Sequence, residues 1–282
     1  MPKTCILTDS SAQFPTHTFK GERSVCIVPF DLQINDQLFP ECGQVKSTDL
    51  PASTLGGDLI LAHPPSAERY ASFFQAYTRE FDQFLVITQT ELMSASFANA
   101  AQAAENEKGK TPILVINSQT TSVGLGTLVQ LAAEMADHGK SLAEIEHFIR
   151  RKIPHIYSLI CTPGLSYLEK SHLIDPAQAL VGEMLNFFTV YSLEAEQLIP
   201  MEKIRNARAV PDLFLEFLEE FDQLNHISLI QNQGLTTTET RSIKQNLQEL
   251  YPQAAYTEHA LNIPFAAQFS PQAIAMVAVE KI

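Results

Sequence analysis

The stretch LVITQTELMSASFANAAQAAE, residues 85–105, decides how the chain is read. It opens on an apolar run of the kind carried by a strand buried on both faces, and it closes on an alanine-rich helix. Thr88, Thr90, Ser94 and Ser96 crowd hydroxyls into the junction between the two. Such residues serve either as turn and cap groups or as donors to an acidic ligand.

Outward from that junction the same alternation repeats. Strands are predicted at 5–8 (CILT), 25–30 (VCIVPF), 59–62 (LILA), 84–88 (FLVIT) and 113–117 (ILVIN). Between them, residues 67–82 place Tyr70, Phe73, Phe74, Tyr77 and Phe81 at three- and four-residue steps, the spacing of one buried helical face. Residues 123–139 do the same with Val123, Leu128, Leu131, Ala132 and Met135, and Gly139 stands where a helix C-cap belongs. Ser141 and Glu144 form a capping box for the next helix, which Pro154 ends. Strands alternating with helices predict an α/β fold with a Rossmann-like parallel sheet and crossover helices over residues 1–156.

From 157 to 282 a second α/β domain is expected. YSLIC and FFTVYSL have strand character, 202–222 and 239–250 have helical character around the strand HISLI, and AIAMVAVE is a closing strand. A chain of 282 residues is long enough for two such domains.

Composition narrows the function. The net charge of -13, with only 19 basic residues, opposes nucleic acid, which is held through Lys and Arg contacts to phosphate. It also repels an anionic bilayer, so membrane contact is expected to be transient. No apolar run approaches the ~18 residues of a membrane span, and the N-terminus MPKTCILTDSS lacks the apolar core and cleavage site of a secretory signal, so a cytoplasmic location is expected. Cys5, Cys26, Cys42 and Cys161 form no C-x-x-C pair, which predicts reduced thiols, no zinc and no disulfide framework.

In parallel α/β sheets ligands bind beyond the carboxyl ends of the strands. Those ends read Thr8-Asp9-Ser10-Ser11, Ala62-His63-Pro64-Pro65-Ser66, Thr88-Gln89-Thr90 leading to Ser94 and Ser96, and Asn117 to Ser122. A ring of hydroxyls and helix N-termini suits an oxyanion. Each residue taken alone is also an ordinary cap or turn, and His63 beside two prolines is open to either reading. Asp9, a carboxylate that would repel an anion, is assigned to capping or orienting its loop, with Ser10 and Ser11 as loop supports. VGLGTL lacks the third glycine of a dinucleotide fingerprint, and no Walker A, G-x-S-x-G or H-E-x-x-H motif occurs, so no cofactor and no metal are expected.

CILTDSSAQFP, VPFDLQINDQLFPE, AHPPSAERYASFF, TELMSASFANAAQAAE, VINSQTTSVGLGTLVQLAAEMADHGKSLAEI and GLSYLEKSHLID together resemble, in order and spacing, the DegV family of bacterial fatty-acid-binding proteins. The resemblance runs nearly end to end, and its most specific parts are T-D-S-S and S-x-G-x-G. It implies a two-domain DegV-like fold holding one long-chain fatty acid, its carboxylate at hydroxyl-rich loops and its chain in an apolar tunnel. It further implies that the carrier presents the acid to a partner fatty acid kinase for phospholipid synthesis.

Against the family's T-S-Q-P-S loop stands Ala62-His63-Pro64-Pro65-Ser66, without the threonine hydroxyl. Against S-G-T stands Ser94-Ala95-Ser96, with both hydroxyls kept. Ser171-His172-Leu173-Ile174 replaces G-G-R-I and loses the arginine, and Gln268-Phe269-Ser270-Pro271-Gln272 replaces H-x-G-P-G and loses the histidine. The resemblance therefore assigns the lipid head group to Ser94, Ser96, His63, Gln268 and Thr90. Burying ~14 methylenes at about 0.8 kcal/mol each outweighs one or two lost hydrogen bonds of roughly 1 kcal/mol, so lipid binding is expected to survive these changes. MLNFFTVYSL, residues 184–193, is the candidate tunnel lining, with a plain sheet core as its alternative. Two other functions stay open: a small hydrolase or phosphotransferase using Asp9, Ser10 and His63, and an interaction module with a vestigial pocket.

Overall fold

A computed structural model describes residues 2–185, 187–232 and 235–281. Its strands and helices are β1 (Thr4–Asp9), β2 (Val25–Val28), β3 (Asp31–Ile34), β4 (Gln37–Phe39), β5 (Ile60–His63), α1 (Ala67–Tyr77), β6 (Gln83–Thr88), α2 (Ser96–Asn106), β7 (Ile113–Asn117), α3 (Ser122–Asp137) and α4 (Leu142–Lys152). They continue as β8 (Ile156–Pro163), α5 (Ser166–Lys170), α6 (Pro176–Leu185), β9 (Phe188–Glu194), β10 (Gln197–Ile204), α7 (Val210–Leu218), β11 (Leu224–Gln231), α8 (Thr237–Leu250), β12 (Ala255–His259), α9 (Ile263–Phe269) and β13 (Ile274–Glu280). Two compact units result: 1–32, 38–43 and 62–154 form the first, and 33–37, 44–61 and 155–282 form the second. The division is interleaved in sequence.

The first unit is built on a parallel sheet of order β2-β1-β6-β7. β1 and β6 are buried along their whole length, which is why both read as unbroken apolar runs. Helices α1 and α2 cover one face, where Tyr70, Phe74, Ala100 and Ala103 meet Cys5, Leu7, Phe84 and Val86. α3 is buried around most of its circumference from Ser122 to Val129, and the second glycine of S-x-G-x-G lets it approach the loop after β1. A Cβ on Gly126 would lie 1.9 Å from the Gln13 carbonyl oxygen. The Ser141 capping box forms at the start of α4 as expected.

Residues 59–62 do not join this sheet. β5 pairs with β3 in a separate three-stranded sheet of order β4-β3-β5. The hairpin β3–β4 turns at Asn35, whose positive φ of 53° suits asparagine, and Asn35 then fastens the start of β5: Leu59 N donates to its Oδ1 at 2.9 Å.

The second unit carries a mixed six-stranded sheet of order β10-β9-β8-β13-β11-β12, antiparallel except for β11 beside β12. Phe214, Leu218, Ile243 and Leu247 of α7 and α8 pack on one face against Leu159, Ile227, Leu229 and Met276. The helix expected over 202–222 is shorter, 210–218, because residues up to Ile204 belong to β10. β9 and β10 are joined at Ala195 and Glu196, both with positive φ (46° and 62°), a mirror-image turn that carries the strand straight back.

Candidate functional site

In the parallel sheet the chain runs from β1 to β2 on one side and returns as β6 on the other side of β1. The order reverses between β1 and β6, so the crevice beyond their carboxyl ends is where a ligand site is expected. Asp9 ends β1 at that point and is fully buried. Its Oδ1 accepts from Ser11 N at 3.1 Å and Ser11 Oγ at 2.5 Å, and its Oδ2 accepts from Gln89 N at 2.9 Å and Ser96 Oγ at 2.6 Å. Burial pushes the Asp9 carboxyl above its ordinary value, against the pull of the hydrogen bonds from Ser11, Ser96 and Gln89.

Those bonds decide what the neighbouring hydroxyls can do. Ser96 gives its one proton to Asp9 and lies 2.6 Å from the Tyr70 hydroxyl, which therefore donates to Ser96. Ser96 is fully buried between them. Thr90 is also enclosed; its amide donates to Thr120 O at 2.9 Å and its Oγ1 accepts from Leu92 N at 3.4 Å. Ser94 is half-buried, and its oxygen accepts from Ser96 N at 3.3 Å, which leaves its own proton to give elsewhere. Ser94 therefore sits ahead of α2, whose N-cap is Ala95, a residue with no side-chain cap.

On the neighbouring strands, Ser10 Oγ accepts from Phe30 N at 2.9 Å and ties the loop to the end of β2. His63 is half-buried at the end of β5 and within electrostatic reach of Asp31. Asp31 pairs with Arg69 at 2.9 Å, and Arg69 also reaches Glu41 at 3.3 Å. An arginine thus stands at the start of α1, where hydroxyls and helix ends had been the expectation, with its charge divided between two carboxylates. Within the first unit, then, Asp9, Ser11, Ser96 and Tyr70 are brought into direct contact. Tyr70 reads in the sequence only as a member of the apolar face of α1, one of two phenols in that stripe with Tyr77, and nothing local separates the two.

Gln268 belongs to the second unit, where it is buried in α9. Ser270, at the first glycine of the family's H-x-G-P-G pattern, adopts φ 96°, and His172, at the second glycine of G-G-R-I, adopts φ 57°. Backbone geometry that glycine adopts freely is thus kept by side chains that adopt it less readily. The same unit holds a cleft of about 660 Å³ walled by α6 and the β9–β10 hairpin. Leu165, Leu173, Ile174, Val181, Tyr191 and Leu198 are among its apolar lining. Of residues 184–193, Leu185, Phe187, Thr189 and Tyr191 face this cleft, Val190 is in the sheet core, and Asn186 lies outside the described residues. Among the described residues no group of three or more His, Cys, Asp or Glu has the arrangement of a metal site, and no helix is long and apolar enough to cross a membrane.

Comparison with known proteins agrees with the resemblance. The sequence profile of the family described as "Uncharacterised protein, DegV family" matches residues 3–281. A DegV domain-containing protein of Caldanaerobacter subterraneus subsp. tengcongensis is 24% identical over 219 residues, 78% of each chain. Among solved structures, a fatty-acid-binding DegV family protein from Thermus thermophilus superposes with a TM-score of 0.83 at 19% identity, covering 99% of this chain and 100% of the other. The Streptococcus pneumoniae fatty acid kinase B3 protein, loaded with linoleic acid, does so with a TM-score of 0.84 at 18% identity, covering 99% and 100%.

Proposed function

The chain belongs to the DegV family, and we propose that it binds a long-chain fatty acid or a related single-chain lipid. The observation that carries this reading is the apolar cleft of the second unit, whose 660 Å³ is within the ~300–1,000 Å³ usual for small-molecule sites. Each methylene transferred from water into such a cleft contributes about 0.8 kcal/mol, so a hexadecanoyl chain supplies about 11 kcal/mol before the costs of ordering it.

Within the first unit, the hydroxyls at the strand ends are the groups suited to a lipid head group. Ser94, with a proton to give and surface to give it from, is the leading candidate, and His63 is second. Ser96 and Thr90 act from behind, as enclosed supports of the loop, and Gln268 is assigned the place of the family's histidine. The Streptococcus pneumoniae relative, named for a fatty acid kinase and loaded with linoleic acid, supports extending the reading to a carrier with a kinase partner. A hydrolase built on Asp9, Ser10 and His63 is disfavoured by the geometry, since both oxygens of the Asp9 carboxylate already accept from Ser11, Gln89 and Ser96.

Native mass spectrometry of the full chain purified from a bacterial host tests the reading. The expected spectrum shows the protein plus one mass in the fatty-acid range, released on denaturation. A spectrum of bare protein that stays bare after incubation with C14–C18 acids rules it out.

A further inference from the structure

The apolar cleft of the second unit lies on one face of the β9–β10 hairpin, and the register of the hairpin fixes the order of that wall. Thr189 and Tyr191 line the cleft from β9, and Lys203 and Pro200 stand directly opposite them on β10. Toward the turn, Leu198 stands opposite Leu193. The four-residue step from Thr189 to Leu193, at ~3.3 Å per residue, therefore sets the Lys203 position about 13 Å from that of Leu198 along the hairpin. Among the described residues that line the cleft, Lys203 is the one that carries a charge. We propose that Lys203 determines the specificity of the cleft, binding the anionic end of a single-chain carboxylate whose hydrocarbon runs from there toward Leu198. The inference rests on lipid uptake by the cleft and adds which chemical class of lipid is taken and which way round it lies.

The surrounding charges leave this ammonium available. Lys203 is exposed, and among the described residues its side chain forms no ion pair and no hydrogen bond. The acids of the hairpin are directed elsewhere. Glu202 is in register with Val190, which belongs to the core on the opposite face of the sheet. Glu194 accepts from the Ser192 hydroxyl, two residues along from Val190 and so on that same opposite face. Glu183, the one acid of α6, accepts at Oε1 from Leu165 N and Ser166 N, each at 2.8 Å. In a chain with a net charge of -13, most of the surface repels a carboxylate, and an uncompensated cation on the wall of an apolar cleft is where one is drawn in.

The lysine side chain suits both parts of such a ligand. Its four methylenes extend the apolar wall while the ammonium stays in water at the rim. As a point charge with three donors, the ammonium attracts an ionised carboxylate without demanding one planar geometry. Free fatty acids are ionised at neutral pH, whereas an alcohol of the same length offers the ammonium no charge. The apolar wall holds either chain, and Lys203 favours the acid.

The test is competition between myristate and tetradecan-1-ol for the delipidated full chain, with the bound ligands released on denaturation and quantified by mass. Wild type is expected to retain mostly myristate. Lys203→Met, which keeps an unbranched stem and removes the charge, should weaken myristate about fivefold at unchanged melting temperature and leave the alcohol unaffected. Lys203→Arg, which keeps the charge, should retain the preference. Wild type that takes up myristate while Lys203→Met does so equally well overturns the assignment and leaves the lipid reading standing. Myristate weakened by Ser94→Ala and not by Lys203→Met does the same, by placing the head group in the first unit. Uptake of neither ligand by wild type removes the lipid reading and this inference together.

Discussion

Each unit gathers a cluster of polar side chains, buried in the first and half-buried in the second, and the two clusters are built on opposite terms. In the first, Asp9 is an acid at the tip of a strand, wholly enclosed, collecting two backbone amides and two hydroxyls. In the second, His226 is a base in the body of β11. Its Nε2 lies 2.8 Å from Thr257 Oγ1 and 3.0 Å from Ser228 Oγ, and His259 Nε2 comes within 2.9 Å of the same threonine oxygen. Amides fixed at strand and helix ends have nowhere else to turn when their acceptor is removed. Hydroxyls do: Ser228 and Thr257 are already 2.9 Å apart and close the gap between themselves. The first cluster is therefore an obligate part of the fold, and the second is a set of exchangeable partners.

The largest effect that separates them is expected from Asp9→Ala. It strands the Ser11 and Gln89 amides in a dry interior and should cost about 3–5 kcal/mol in urea unfolding. His226→Phe at neutral pH, by contrast, should cost under about 1 kcal/mol. A cost for Asp9→Ala as small as that for His226→Phe would erase the distinction.

Next in size is the response to acid. Burial first, and His259 second, hold His226 at about 4, below its ordinary 6.5. A base whose folded value is depressed contributes stability that is present above 6.5 and lost as pH falls through 4, on the order of 2–3 kcal/mol. Asp9 runs the other way. Its value is raised by burial, so its contribution is full below the ordinary 3.8 and is lost as pH rises through the folded value. Melting curves from pH 7 to 4 should show wild type losing stability that His226→Phe keeps, and Asp9→Asn should remove a component of opposite sign.

The smallest effect sharpens the first cluster from within. Tyr70→Phe removes the donor to Ser96 while keeping the ring in its core position, and about 1 kcal/mol should be lost. No loss at all would mean that Ser96 finds another donor and that the network is looser than its distances imply.

Much of this architecture was legible because β1, β6 and β7 are apolar runs of strand length and because Ser141 and Glu144 announce their helix. β9–β10 was half hidden, since its turn is made by alanine and glutamate where Asn-Gly or a similar pair would have given it away. β5 looked like a strand of the parallel sheet because four apolar residues do not say which neighbour they pair with. At the site, the sequence placed Asp9 and the hydroxyls of Ser94 and Ser96 at strand ends but not their allegiance. Only the fold shows that Ser96 serves Asp9 and Tyr70 and that Ser94 retains a proton to give. The apolar cleft drew only partial notice, because α6 carries Leu180, Val181, Met184 and Leu185 exposed and its residues suggested no particular partner.

Lipid uptake by that cleft is the claim on which the functional reading stands, and titration of the delipidated full chain with palmitate, beside Ala177→Trp, which puts a ring into the cleft from the exposed start of α6, tests it most directly. One palmitate per chain is expected for wild type, and at least a tenfold weaker affinity for the variant at unchanged melting temperature. No uptake by wild type, or equal uptake by both proteins, would contradict the account.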